Sequence, residues 1–135
     1  MEGRIHHVGV IVADLANARR FLEDALGFRL EQSLSLPDKK LEAGFFSMGG
    51  GAQVELIELG EPQARAERLG DGNVGRLEHI AIEVDDVEVV REELRRGGVE
   101  MQTDRPVPTA QSRSYFTRPE TSGGVVYQFL DRRLS

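Results

Sequence analysis

An internal repeat constrains the fold of this chain more than any other feature of its sequence. The segment IHHVGVIVADL (residues 5–15) aligns without a gap with LEHIAIEVDDV (residues 77–87), at an offset of 72 residues. The segment GGGAQVELIE (residues 49–58) aligns with SGGVVYQFLD (residues 122–131), at an offset of 73. Two matching segments in the same order at nearly one offset indicate two copies of one supersecondary unit.

Each copy has the pattern of a strand, a helix and three further strands. Apolar residues alternate in each opening segment and then recur every three or four residues after Asp14 and Asp86, which can cap the two helices. The predicted elements of the first copy are strands 4–12, 28–35, 42–48 and 52–59 and a helix at 15–26. Those of the second copy are strands 76–84, 99–103, 112–117 and 124–131 and a helix at 87–97.

We therefore predict an α+β fold, a single domain over residues 1–135 built from two tandem βαβββ modules. The modules would span residues 1–59 and 76–135, with residues 60–75 as a linker that has room for one short helical turn. Residues 104–111 contain two prolines and are predicted to form a loop. The two copies are expected to form a curved mixed sheet around a central site.

Composition excludes several classes of function. The net charge is −6, which disfavours binding to a nucleic acid because an acidic surface repels phosphates. The absence of cysteine removes disulfides, zinc–thiolate sites and a thiol nucleophile. The sequence shows no apolar stretch of the length of a signal peptide or a membrane span. We expect a cytoplasmic protein with neither a nucleic acid nor a membrane as partner.

Four polar side chains occupy equivalent positions in the two copies. Alternation along the first strand places His7 on the face opposite the packed valines, beside a small glycine, and the second copy repeats this at His79. Glu55 and Gln128 alternate with packing residues in the same way, whereas His6 lies on the other face. A lone histidine in an apolar strand is more often structural than a ligand, but the repeated arrangement favours a metal site.

The donor set determines which ions could bind. Two imidazoles, a carboxylate and a carboxamide oxygen suit Zn²⁺, Co²⁺, Ni²⁺, Fe²⁺ or Mn²⁺, and they leave one or two coordination positions open for substrate or water. The sequence therefore predicts a divalent metal ion between these four side chains.

These segments resemble the vicinal oxygen chelate (glyoxalase/bleomycin resistance/dioxygenase) superfamily, and most closely its methylmalonyl-CoA epimerases. The epimerases' opening strand and helix are similar to IHHVGVIVADLANARRFLEDALGF, and their fourth strand is similar to VELIELGE. The start of their second module is similar to LEHIAIEVDD, and their closing strand to RPETSGGVVYQFL. The resemblance implies that His7, Glu55, His79 and Gln128 are the metal ligands. It also implies a homodimer.

The sequence departs from the epimerase pattern at the last ligand. The epimerases usually carry Glu there, whereas Gln128 is a neutral amide that cannot accept a proton at neutral pH. The segment LPDKKLEAGFF places Asp38 where the epimerases have an acidic residue before their third strand, although Asp38 equally suits a turn after Pro37. The loop that contains Gly and His in the epimerases reads PTAQ in this chain.

The resemblance implies a metal-dependent isomerase or lyase acting on a small carbonyl compound. Epimerisation beside a thioester through a metal-stabilised enolate is the first expectation, with an acyl-CoA as the small-molecule substrate and Asp38 or Glu55 moving the proton. A glyoxalase I-like lyase comes second. The alternative from a different class is a non-enzymatic binding protein similar to bleomycin-resistance proteins, which need no metal. An extradiol dioxygenase is a weaker option.

Overall fold

The computed structural model describes residues 1–109 and 111–133, and within them the two halves repeat one order of elements. The first half contains β1 (Gly3–Val12), α1 (Leu15–Arg20), β2 (Arg29–Leu36), β3 (Leu41–Ser47), β4 (Gln53–Leu59) and α2 (Pro62–Arg68). The second half contains β5 (Gly75–Val84), α3 (Val87–Arg96), β6 (Val107–Pro108), β7 (Arg113–Phe116) and β8 (Val126–Asp131). A π-helical turn at Phe21–Ala25 continues α1, and 3₁₀ turns occur at Pro37–Lys39 and Pro119–Thr121.

The chain forms two compact units by its backbone contacts. One unit is His7–Glu78, and the other consists of Met1–His6 and the chain from His79 onward. In the first unit the strand order is β2-β3-β4-β1, with β1 and β4 parallel and the other pairs antiparallel. The strands of this unit therefore form a mixed sheet.

The second unit repeats this arrangement strand for strand. Its order is β6-β7-β8-β5, with β5 and β8 parallel and the other pairs antiparallel. The register repeats as well, since Val8 pairs with Val54 and Ile80 pairs with Tyr127. The predicted α+β fold of two tandem βαβββ modules is confirmed. The predicted division into 1–59, 60–75 and 76–135 within a single domain stays a prediction.

Two sequence expectations about the connections were wrong. Residues 99–103 do not form a strand, and Met101 makes only an isolated bridge to Thr117. The strand that pairs with β7 is instead the two-residue β6, inside the predicted loop. Pro106 and Pro108 lack an N–H and so limit strand pairing to a short edge segment.

The linker contains a helix of seven residues rather than one turn. The Glu61 carboxylate caps this helix, α2, by accepting from the backbone N–H groups of Gln63 and Ala64, and Pro62 occupies the first turn. Among the residues that the structure describes, no helix has the length and apolar character needed to cross a bilayer.

The helix of each copy packs against one face of its strands. In the first unit, Val10 and Val12 lie in a cluster with Leu22 and Phe46 beneath α1. In the second unit, Val87 and Val90 of α3 pack against Tyr115 and Phe129, among others. The opposite face of the first unit is partly filled, because Ile11 and Ile57 pack against Leu69 at the end of α2.

A carboxylate on the fourth strand of each copy holds the amino terminus of that copy's helix. Glu58 Oε1 accepts from the backbone N–H of Leu15 at 2.7 Å, and Asp131 Oδ2 accepts from that of Val87 at 2.7 Å. Burial by itself raises the pKa of the Asp131 carboxyl. The hydrogen bonds from Arg113 and from the backbone outweigh burial, so the pKa lies below its ordinary value.

Candidate metal centre

The pairing of β1 with β4 brings His7 and Glu55 together. Gly9 lies opposite Glu55 and His7 lies opposite Gln53, so the histidine and the glutamate are diagonal neighbours on one face of two parallel strands. His7 Nε2 lies 3.2 Å from Glu55 Oε1. Both residues are buried, with exposed fractions of 3% and 9%.

The separation of these two atoms fits a shared ion. Ligand atoms about 2.1 Å from one ion, at angles between octahedral and tetrahedral, lie ~3.0–3.4 Å apart. The observed 3.2 Å lies inside that range. An imidazole nitrogen and a carboxylate oxygen are both suitable donors for a divalent transition metal. The donors of the first unit therefore fit the ion that the sequence predicts.

The pairing of β5 with β8 repeats the diagonal in the second unit. His79 lies opposite Val126, and Gln128 lies opposite Ala81. Their exposed fractions are 5% and 9%. Each unit thus contains a buried imidazole and a buried oxygen donor at equivalent positions of the register.

The amide of Gln128 contacts a buried hydroxyl on the neighbouring strand β7. Its Nε2 donates to the Oγ of Ser114 at 3.0 Å, and Ser114 on β7 is fully buried. In this orientation the carbonyl oxygen of the amide is the atom left for a ligand, which matches the preference of metal ions for amide oxygen.

Comparison with known proteins identifies the family. A family model described as the Glyoxalase/Bleomycin resistance protein/Dioxygenase superfamily matches residues 6–117. The chain belongs to this superfamily. The mitochondrial methylmalonyl-CoA epimerase of Bos taurus is 28% identical over 127 residues, which cover 93% of this chain and 73% of the relative. An ethylmalonyl-CoA/methylmalonyl-CoA epimerase of Cereibacter sphaeroides is 30% identical over 99 residues, 73% of each chain.

Solved structures show the same superfamily fold. The hypothetical protein BH1468 from Bacillus halodurans has a TM-score of 0.84 and 25% identity, covering 100% of this chain and 98% of the other. The methylmalonyl-CoA epimerase from Mycobacterium tuberculosis has a TM-score of 0.84 and 24% identity, covering 96% of this chain and 88% of the other. The second likeness shows the fold alone.

Each unit of this superfamily member also has an aromatic side chain beside its histidine. Phe45 on β3 lies opposite Glu55, and its ring meets that of His7 edge-on at 5.1 Å between centroids. Phe116 on β7 lies opposite Gln128 and meets His79 edge-on at 6.2 Å. Sequence reasoning missed both rings, although each lies in an aromatic doublet of the third strand.

Arg68 is a second feature that the sequence did not reveal. Two hydrogen bonds of 2.7 Å join its guanidinium to Glu78. The hydrogen bond from Arg68 to Glu78 is the largest influence raising the pKa of Arg68, and the negative charge of Glu55 makes a smaller contribution in the same direction. The end of α2 thus places the Arg68–Glu78 ion pair within electrostatic reach of Glu55. Only the fold could show this, because Arg68 lies in the linker.

Asp38 lies in the 3₁₀ turn Pro37–Lys39 between β2 and β3, and it is exposed. Over residues 1–109 and 111–133, no hydrogen bond or ion pair joins Asp38 to His7 or Glu55. Its assignment as a proton carrier therefore stays a prediction. His6 faces away from the donors, with a ring nitrogen 3.4 Å from the guanidinium of Arg132.

Proposed function

We propose that this chain is a metal-dependent epimerase that exchanges the α-proton of a small acyl-CoA thioester, with methylmalonyl-CoA as the substrate to test first. The repeated pair of a buried imidazole and a buried oxygen donor carries the proposal. Relatives named methylmalonyl-CoA epimerase match 93% of the chain, and they support this chemistry over the other reactions of the superfamily.

In this proposal His7, Glu55, His79 and Gln128 hold one divalent ion, and each copy of the repeat supplies one imidazole and one oxygen donor. A bound Co²⁺, Ni²⁺, Zn²⁺, Mn²⁺ or Fe²⁺ ion supplies positive charge to a substrate carbonyl oxygen, which makes the neighbouring C–H more acidic.

Epimerisation requires removal of a proton from one face of the α-carbon and its return to the other face. Gln128 cannot accept a proton, so the carboxylates of Asp38 and Glu55 are the candidates among the predicted site residues. Asp38 is the better candidate for removing the proton, because a Glu55 carboxylate that binds the ion already uses a lone pair for coordination. Asp38 would have to approach the substrate from the β2–β3 turn, where its side chain is exposed.

The proposal is tested by isotope exchange. Wild-type protein loaded with Co²⁺ and incubated with methylmalonyl-CoA in D₂O should incorporate deuterium at the α-carbon, as followed by mass spectrometry. Asp38→Asn should slow the exchange by ~10²–10⁴-fold, the usual loss on removing a general base. Asp24→Asn is the matched control, because Asp24 is an exposed aspartate on the π-helical turn after α1. It should leave the rate unchanged.

Two outcomes would contradict the proposal in different ways. An inert wild type with an active Gln128→Glu variant would mean that the amide has removed epimerase activity from this chain. An inert wild type with an inert Gln128→Glu variant would exclude epimerisation of this substrate altogether. A glyoxalase-like lyase and a metal-independent binding protein would then be the hypotheses to test.

A further inference from the structure

The two copies differ in the residue that accompanies the oxygen donor of the fourth strand. On β3, Ala43 lies opposite Ile57, two residues before the aromatic that faces Glu55. On β7, Ser114 lies opposite Leu130, two residues before the aromatic that faces Gln128. Ala43 and Ser114 therefore occupy equivalent positions, and only the copy with an amide donor has a hydroxyl there.

The difference matches the chemistry of the two donors. The two oxygens of a carboxylate are equivalent, so Glu55 presents a ligand atom whichever way its end is turned. The end of Gln128 has one oxygen and one NH₂ group, and a rotation of 180° would turn the NH₂ group toward the ion. In the orientation that leaves the carbonyl oxygen for the ion, Nε2 donates to Ser114 Oγ at 3.0 Å, so the hydroxyl satisfies the NH₂ group while the oxygen binds the metal.

Burial increases the cost of losing this contact. Ser114 is fully buried and Gln128 is nearly so, which restricts the access of water that could replace the hydroxyl. Among the described residues, no buried side-chain nitrogen or oxygen lacks a hydrogen-bond partner. Loss of the hydroxyl would leave the buried NH₂ group without this acceptor, which is costly in a dry environment.

We infer that Ser114 is a positioning residue, whose hydroxyl holds the Gln128 amide with its carbonyl oxygen directed at the bound ion. The inference rests on the proposed metal site and deepens it. It explains how a chain without the usual final carboxylate can retain an oxygen donor as its fourth ligand.

The test is a double-mutant cycle on Co²⁺ affinity, measured by isothermal titration calorimetry without substrate. Ser114→Ala should weaken Co²⁺ binding by about 10–100-fold, the usual effect of removing a partner that orients a ligand. In a Gln128→Glu background the same change should weaken binding by less than about threefold, because a carboxylate needs no such orientation.

Matched variants separate positioning from packing. Ser114→Ala reproduces the residue that the first copy has at Ala43, so the strand should tolerate it. Ser114→Cys keeps the side-chain shape with a weaker acceptor, and it should also reduce affinity even if the alanine variant fails to fold. Ser47→Ala removes another buried serine, whose hydroxyl donates to Glu31, and should leave Co²⁺ affinity unchanged.

The outcomes distinguish this inference from the proposed function. If the wild type does not bind Co²⁺, the metal site fails and the inference fails with it. If the wild type binds Co²⁺ and folded Ser114 variants bind equally well, only the role of Ser114 is overturned. Equal losses in the wild-type and Gln128→Glu backgrounds would also overturn it, because they would show that Ser114 acts through packing.

Discussion

At the scale of single residues, Gln128 changes the charge of the proposed metal site. Glu55 is the only formal negative charge among the four proposed donors, so a divalent ion bound there leaves a net charge of +1. A glutamate in place of Gln128 would reduce that charge to zero. The site should therefore favour a substrate that carries a negative charge close to its reacting carbon, as methylmalonyl-CoA does.

The proposed ligand His79 gives a direct prediction at this scale. His79→Ala should abolish stoichiometric Co²⁺ uptake, because it removes one of two imidazole donors from a site with four ligands. The far-UV circular dichroism spectrum should stay that of the wild type. The measurement is metal content by mass spectrometry after loading with Co²⁺ and gel filtration.

His6→Ala is the matched control for this experiment, since His6 lies next to a proposed ligand on the other face of β1 and close to Arg132. It should bind as much Co²⁺ as the wild type. Equal metal content in the His79 variant and the wild type would show that the ligand is misassigned.

The sequence predicted the strand face on which each site residue lies, but it did not predict which side chains of other strands contact that residue. Strand alternation was sufficient to place His7 and His79 opposite the packed face. The diagonal arrangement of His7 and Glu55 depends on the pairing register of β1 and β4, which the internal repeat indicated only indirectly. The hydrogen bond from Gln128 to Ser114 joins side chains on different strands, and no local pattern predicts such a contact.

At the scale of elements, a carboxylate on the fourth strand of each copy binds the amino terminus of that copy's helix. The carboxylate that binds α3 has an additional partner. Glu58 and Asp131 both accept from the first backbone N–H of their helix. Asp131 also accepts from Arg113 Nε at 3.0 Å, within a buried environment. The sequence alignment paired these two carboxylates, but their role could not be predicted because it depends on a contact between a distant strand and a helix terminus.

The lowered pKa of Asp131 makes this attachment dependent on pH. A carboxylate whose pKa is lowered in the folded state contributes stability above its unfolded pKa of about 4, and this contribution is lost as the pH falls through the lower folded value. Asp131→Asn should therefore reduce the free energy of unfolding at pH 7 by ~1–3 kcal/mol. The reduction should shrink below about pH 4.

Urea denaturation at pH 7 and at pH 3 measures both effects. Glu58→Gln is the comparison, because the described residues show no arginine bonded to Glu58, and it should lose less stability at pH 7. A difference between wild type and Asp131→Asn that stays constant over this pH range would contradict the role assigned to the charge.

At the scale of the whole molecule, several large apolar side chains are exposed on the isolated chain. Ile5 and Leu77 occupy equivalent positions of the repeat, with exposed fractions of 52% and 71%. Every residue of the edge strand β2 is exposed, including Leu34 and Leu36. Exposed apolar groups along a strand edge favour association with another chain unless they are covered.

We therefore predict a homodimer. Sedimentation velocity should give a mass twice the 15.0 kDa of the chain over a dilution series from millimolar to micromolar protein. Each chain has a net charge of −6, so two copies repel each other, and added salt screens this repulsion. A dimer held by apolar contacts should accordingly persist or become tighter at high salt. A monomer at every concentration would refute the prediction, and dissociation by salt would show that ion pairs rather than apolar side chains hold the two chains together.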